Sequence, residues 1–138
     1  EASVASTKSV TNQILNMILM AAVLGSKGTI PAAQYISLIN ELYSLPDKVS
    51  RIISKSDEIK KICEIYKDRE SLLVIGRDKL EPIAKEYALK IKEISYIHAE
   101  GYSGSELKHG PLALINPDRP TIALVENNIS IKAITGNC

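Results

Sequence analysis

An α/β fold built on a parallel sheet flanked by helices is what the sequence predicts, and three observations carry the prediction. Ser71-Leu72-Leu73-Val74-Ile75-Gly76 is a short, almost continuously apolar run ending in glycine, and Thr121-Ile122-Ala123-Leu124-Val125 repeats the pattern. Such runs mark strands buried on both faces of a parallel sheet. Between them a helix is expected to run to about Ser95, with Pro82 in its first turn, where a missing N–H is tolerated. Strand, helix, strand is a right-handed parallel crossover.

The region before this unit reads as helical throughout. Ser6 or Thr7 can cap a helix from about Lys8 to about Ser26, with Gly25 and Gly28 as stop signals. Its centre, from Ile14 through Leu24, is apolar almost all round, which predicts burial on most faces. Pro31 opens a second helix with Tyr35, Leu38, Ile39 and Leu42 at helical spacing, and Ser44-Leu45-Pro46 breaks it. Two further helical pieces follow up to Asp68, with Val49, Ile52 and Ile53 and then Ile59, Ile62, Cys63 and Ile65 expected to face inward. Two strands alone make no viable sheet, so the fold is expected to be present only in part; Ile129 to Ile134 is a candidate third strand.

Composition narrows the function. At 138 residues one modest core is the prior, and 17 Lys and Arg against 16 Asp and Glu give a net charge of +1. Neither a nucleic acid nor an anionic membrane is called for as partner. Phe and Trp are absent, which counts against a base-stacking surface. Cys63 and Cys138 lie far apart and match no metal-ligand spacing, which suggests a reducing, cytoplasmic setting. The unbroken apolar run Met17 to Leu24 is far too short for a bilayer, and no secretory signal pattern opens the sequence.

Chemistry concentrates between Ile94 and Ile115. His98 and His109 are the only histidines, with Glu100, Glu106 and Lys108 among them and Lys90 and Glu93 just before. Carboxylates, imidazoles and amines in one short stretch are the material of general acid-base catalysis. Lys90 and Glu93, three apart, share one helix face, where an exposed ion pair of little consequence is the plainer reading. His109 lies beside Gly110-Pro111 in an irregular turn, and His98 lies on or just beyond the helix, where a hydrogen-bonded structural role is expected. No pair among His98, Glu100, Glu106 and His109 has the two-histidine spacing of a zinc helix, so no metal is expected. Gly101 to Ser105 reads as a turn, with a phosphate cradle as its alternative.

The stretch KEISYIHAE, followed by SELKHGPLALI, resembles the isomerase half of the glutamine:fructose-6-phosphate aminotransferases, or glucosamine-6-phosphate synthases, which is built of two sugar-isomerase (SIS) subdomains. EASVASTKSVTNQ at the start resembles the family's VASTK segment, at the family's spacing. The resemblance implies a three-layer SIS fold divided into 1–28 (the end of the first subdomain), 29–70 (a helical connection) and 71–138 (the first part of the second, truncated or divergent after about 128). It implies fructose 6-phosphate and ammonia from glutamine as substrates and glucosamine 6-phosphate as product, with no cofactor. Glu93 would move a proton between C1 and C2 of the sugar and Lys90 would steady the enediolate-like charge. His109 would open the sugar ring of the neighbouring subunit, hence a homodimer. Val4 and Ser6 would touch the sugar.

Gly76-Arg77-Asp78 stands where the family usually has Gly-Arg-Gly, and Lys85-Glu86-Tyr87 replaces a Leu-Glu-Gly run that lets helix and strand pack closely. The family's glutaminase domain, phosphate loop and Schiff-base lysine have no counterpart in these 138 residues, so the chain alone is expected to be inactive. Other SIS-fold sugar-phosphate isomerases, deglycases and a non-catalytic sugar-phosphate-binding module are the alternatives.

Overall fold

A computed structural model describes residues 4–126, which fall into two compact units divided between Ile65 and Tyr66. Ile129 to Ile134, the possible extra strand, lies outside the described residues.

Among the described residues the first unit holds four helices, α1 (Lys8–Gly25), α2 (Ala32–Tyr43), α3 (Leu45–Ile53) and α4 (Ser56–Cys63). Thr7 is the residue before α1, but neither it nor Ser6 caps the helix through its side chain; the Thr11 hydroxyl instead donates to the Thr7 carbonyl at 3.1 Å. At the other end the amides of Thr29 and Ile30 both donate to the Gly25 carbonyl, at 3.0 and 2.9 Å. Gly25 has no room for a side chain there, since a Cβ would stand 2.3 Å from Ile30. Only Ser44 separates α2 from α3, and Pro46 falls in the first turn of α3, where it needs no N–H partner.

Two expectations about this unit fail. In α1 only Ala22 and Gly25 are buried, while Met17, Met20, Val23 and Leu24 are half to two-thirds exposed. Val49, Ile52, Ile53, Ile59, Ile62 and Ile65 are exposed as well, and so is Cys63, a free thiol. The apolar spacing predicted the helices correctly, but burial needs a second surface, and among the described residues of this unit none covers those faces. No helix among the described residues is long and apolar enough to cross a membrane.

Among the described residues the second unit is a three-stranded parallel sheet with one α-helix packed on it. Its order along the chain is β1 (Ser71–Gly76), a 3₁₀ turn (Asp78–Leu80), α5 (Glu81–Ser95), β2 (His98–Ser103), two 3₁₀ turns (Leu107–His109 and Pro111–Leu114) and β3 (Thr121–Ala123). The spatial order is β2-β1-β3. Ser71 pairs with His98 and Gly76 with Ser103 on one side, and Leu73 with Thr121 on the other.

β2 corrects the sequence reading, which took Gly101 to Ser105 as a turn and placed His98 on or just beyond the helix without a strand there. Tyr96, left-handed at φ 61°, ends α5, and the chain becomes extended at His98. The strand works because its residues alternate. Ala99, Gly101 and Ser103 are small and face α5, and His98, Glu100 and Tyr102 face the other way. Leu72, Val74, Ala84, Ala88 and Ala99 form the core between helix and sheet. A Cβ on Gly101 would stand 2.5 Å from the Lys85 Cα, so the close helix-strand approach lies here. Tyr87, in the place where the resembled family has glycine, is 42% exposed. Asp78 adopts φ 53°, the left-handed region that suits the glycine usual at this place in the family and that Asp tolerates better than most residues.

Candidate functional site

α5 sets the first group of functional side chains. Glu86, Lys90 and Glu93 are spaced i, i+4, i+7 on the side of the helix turned away from Ala84 and Ala88. Lys90 Nζ donates to Glu93 Oε2 at 2.6 Å and lies 3.4 Å from Glu86 Oε1. The Lys90 side chain is only 16% exposed, those of Glu93 and Glu86 24% and 35%. Its hydrogen bond to Glu93, reinforced by Glu86 and only partly opposed by burial, holds Lys90 above the usual lysine range. It therefore stays charged at neutral pH. Such an arrangement can lend positive charge to an oxyanion beside a carboxylate able to carry a proton. Glu86 was not among the residues picked from sequence, although its helical spacing to both partners was a usable signal.

His109 stands elsewhere. It closes the 3₁₀ turn Leu107–His109, is exposed, and among the described residues its side chain makes no hydrogen bond or ion pair. Leu107, two residues earlier, packs with Ile75, Tyr102 and Ile115 on the sheet face opposite α5. Gly76, which lies against Leu80 and the Glu81 amide, pairs with Ser103, so the start of α5 is level with the end of β2. Lys90 and Glu93, at the far end of the helix, are then near the start of β2. From Glu81 to Glu93 the helix advances roughly 18 Å at about 1.5 Å per residue. Within one chain, the sheet and most of the length of α5 stand between His109 and Glu93.

His98 has a structural setting, as its placement suggested. Its Nδ1 shares a 2.8 Å hydrogen bond with the Ser71 hydroxyl, and its Nε2 lies 3.6 Å from Glu100 Oε1. The other Glu100 oxygen accepts from the Tyr102 hydroxyl at 2.5 Å, and this carboxylate pushes the Tyr102 phenol up in pKa, so that it remains a donor. Ser103 and Ser105 hydrogen-bond each other at 2.7 Å instead of opening towards a ligand. Among the described residues no group of His, Cys, Asp and Glu could hold a metal ion. In the first unit Val4 is 90% exposed and Ser6 half-buried, just ahead of α1.

Comparison with known proteins decides the family. The SIS domain model matches residues 64–135, which spans the whole β1-α5-β2-β3 arrangement.

The chain belongs to the SIS-domain family.

Its relatives include the isomerizing glutamine–fructose-6-phosphate aminotransferases of Pseudomonas putida, 41% identical over 138 residues, and of Photorhabdus laumondii, 42% identical over 137. Each match takes in 99% of this chain but only 23% and 22% of the relative. The chain thus spans under a quarter of the length of these proteins. The solved C-terminal domain of glucosamine-fructose-6-phosphate aminotransferase from Francisella tularensis superposes with a TM-score of 0.94 at 38% identity, covering 99% of this chain and 39% of that one. The α/β SIS fold and the likeness to this aminotransferase domain, read from KEISYIHAE and ELKHGPLALI, are both met.

Proposed function

We propose that this chain serves as part of the isomerase domain of a longer glucosamine-6-phosphate synthase. That enzyme joins ammonia from its glutaminase domain to fructose 6-phosphate in the cytoplasm, and the 138 residues alone are inactive. Residues 1–28 would close the first SIS subdomain, 29–70 connect, and 71–138 open the second. The exposed apolar face of α1 gives the rest of such a chain a surface to pack on.

The observation that carries the reading is the partly buried Glu86-Lys90-Glu93 group on α5. Glu93 takes a proton from C1 of the opened ketose and returns it at C2, so that the carbonyl character moves from C2 to C1. Lys90, kept protonated by its two carboxylate neighbours, stabilises the negative charge on oxygen that develops in between. Val4 and Ser6 contact the sugar. His109 opens the sugar ring in the active site of a second copy, and its distance from Glu93 within one chain favours that arrangement over one in which both act on the same molecule.

The test is exchange of the C1 proton of fructose 6-phosphate with solvent deuterium in the full-length protein. Exchange is expected, and Glu93→Gln should remove it. Exchange that survives in Glu93→Gln would sink the assigned base, and none in the unaltered protein would favour a sugar-phosphate-binding module without turnover.

A further inference from the structure

The His109 side chain has no partner of its own among the described residues, so its place is set by what holds the backbone of its turn. Three contacts do so. The Glu106 amide donates to the Ser103 carbonyl at 3.0 Å, the His109 amide donates to the Glu106 carbonyl at 2.9 Å, and Leu107 is fully buried against Ile75, Tyr102 and Ile115. Immediately afterwards Gly110, at φ 151°, turns the chain away in a conformation that side chains rarely adopt. Leu107 is thus the one deep anchor of a turn that otherwise projects outward.

The wall Leu107 rests on is itself fixed by a polar row. Ser71, His98, Glu100 and Tyr102 share the sheet face opposite α5. Along it Ser71 bonds His98 at 2.8 Å, His98 lies 3.6 Å from one oxygen of Glu100, and the other oxygen receives the Tyr102 hydroxyl at 2.5 Å. The hydroxyl at the end of this row fixes the tilt of the Tyr102 ring, and the ring packs against the Ile75–Leu107 pair. The row runs along β2, and its carboxyl end meets the buried Ile75–Leu107 pair under the turn that carries His109.

We propose that Tyr102, held by Glu100, is a positioning residue for ring opening: it sets, through Leu107, where the His109 imidazole is presented. This rests on the reading of His109 as the ring-opening group. In that step the C2–O5 bond breaks, the proton of the anomeric hydroxyl leaves as the C2 carbonyl forms, and a proton is delivered to O5 through the imidazole. Misplacing a catalytic group by about 1 Å can cost up to on the order of 100-fold in rate.

The experiment compares two substrates in the full-length protein. Fructose 6-phosphate needs its ring opened; 5-deoxyfructose 6-phosphate lacks the hydroxyl that closes the furanose and does not. Tyr102→Phe keeps the apolar packing and removes the hydroxyl. It is expected to lower kcat for fructose 6-phosphate on the order of tenfold, with KM unchanged and the deoxy substrate unaffected. Leu107→Ala should show the same selectivity more strongly, and Leu107→Met should restore most of the loss. His109→Ala, the reference, should be the most selective of all. Equal losses on both substrates in Tyr102→Phe, or no loss on either, would overturn the positioning role while leaving that of His109 intact. If His109→Ala itself shows no selectivity, the ring-opening assignment falls and this inference falls with it.

Discussion

Replacing Gly76 by alanine tests the turn that ties β1 to α5. A methyl group there would stand 2.1 Å from the Leu80 carbonyl oxygen, 2.5 Å from its carbon and 3.0 Å from the Glu81 amide nitrogen. Comfortable contacts between non-bonded heavy atoms begin at about 3.5 Å, so the nearest overlap exceeds roughly 1 Å. All three atoms are backbone, and no rotamer change can move them. The surrounding backbone is also tied down, since the Leu80 amide donates to Arg77 at 3.0 Å and the Gly104 amide to Gly76 at 2.8 Å. Overpacking a tight site costs about 1–3 kcal/mol, and a clash against fixed backbone belongs at the upper end. A loss of about 3 kcal/mol divides the folding constant by on the order of 100. With a urea slope of about 1–3 kcal/mol per molar, the unfolding midpoint should fall by roughly 1 M or more with the slope unchanged. Urea unfolding of the full-length protein followed by circular dichroism reads this out. A midpoint within about 0.3 M of the unaltered protein would refute the claim that this turn has no room.

Two further substitutions follow from the same end of the fold and from the α5 group. Asp78, at φ 53°, should lose about 1 kcal/mol of stability on change to alanine and little on change to asparagine, measured by the same unfolding curves. The raised pKa of Lys90 has a definite sign. The stabilisation from its carboxylate partners is fully present below the ordinary lysine value of about 10.4 and is lost as pH rises through the higher value of the folded protein. Glu86→Gln should bring the Lys90 titration down towards the ordinary value, as followed by NMR of the side-chain amine. An unchanged titration would remove Glu86 from the group.

Legibility in the sequence followed the physics of each element. β1 announced itself because Leu72 to Ile75 are buried on both faces and so all apolar. α5 was legible from Pro82 at its start and from the close of its helical period near Ser95. β2 was not, because a strand that meets a helix at close range is built from Ala99, Gly101 and Ser103, and small residues carry no hydrophobic signal. Lys90 and Glu93 sharing a face was readable from spacing, and the structure brings them to 2.6 Å. Spacing could not reveal that β2 reverses the direction of the chain after α5, which is what parts His109 from Glu93. Nor could it reveal that the apolar faces of α1, α3 and α4 stand uncovered among the described residues, since periodicity records which side is apolar and not whether anything lies against it.

The central claim is that one active site takes Glu93 from one copy and His109 from another, and mixing two inactive variants tests it most directly. Full-length protein carrying Glu93→Gln is co-assembled with protein carrying His109→Ala, and synthesis of glucosamine 6-phosphate is measured. In a mixed dimer, one of the two sites would combine an intact Glu93 with the other copy's intact His109. Random assembly makes about half the dimers mixed, so activity should return to about a quarter of the unaltered level. If both residues act within one copy, every site stays defective, and a mixture no more active than its two components would contradict the account.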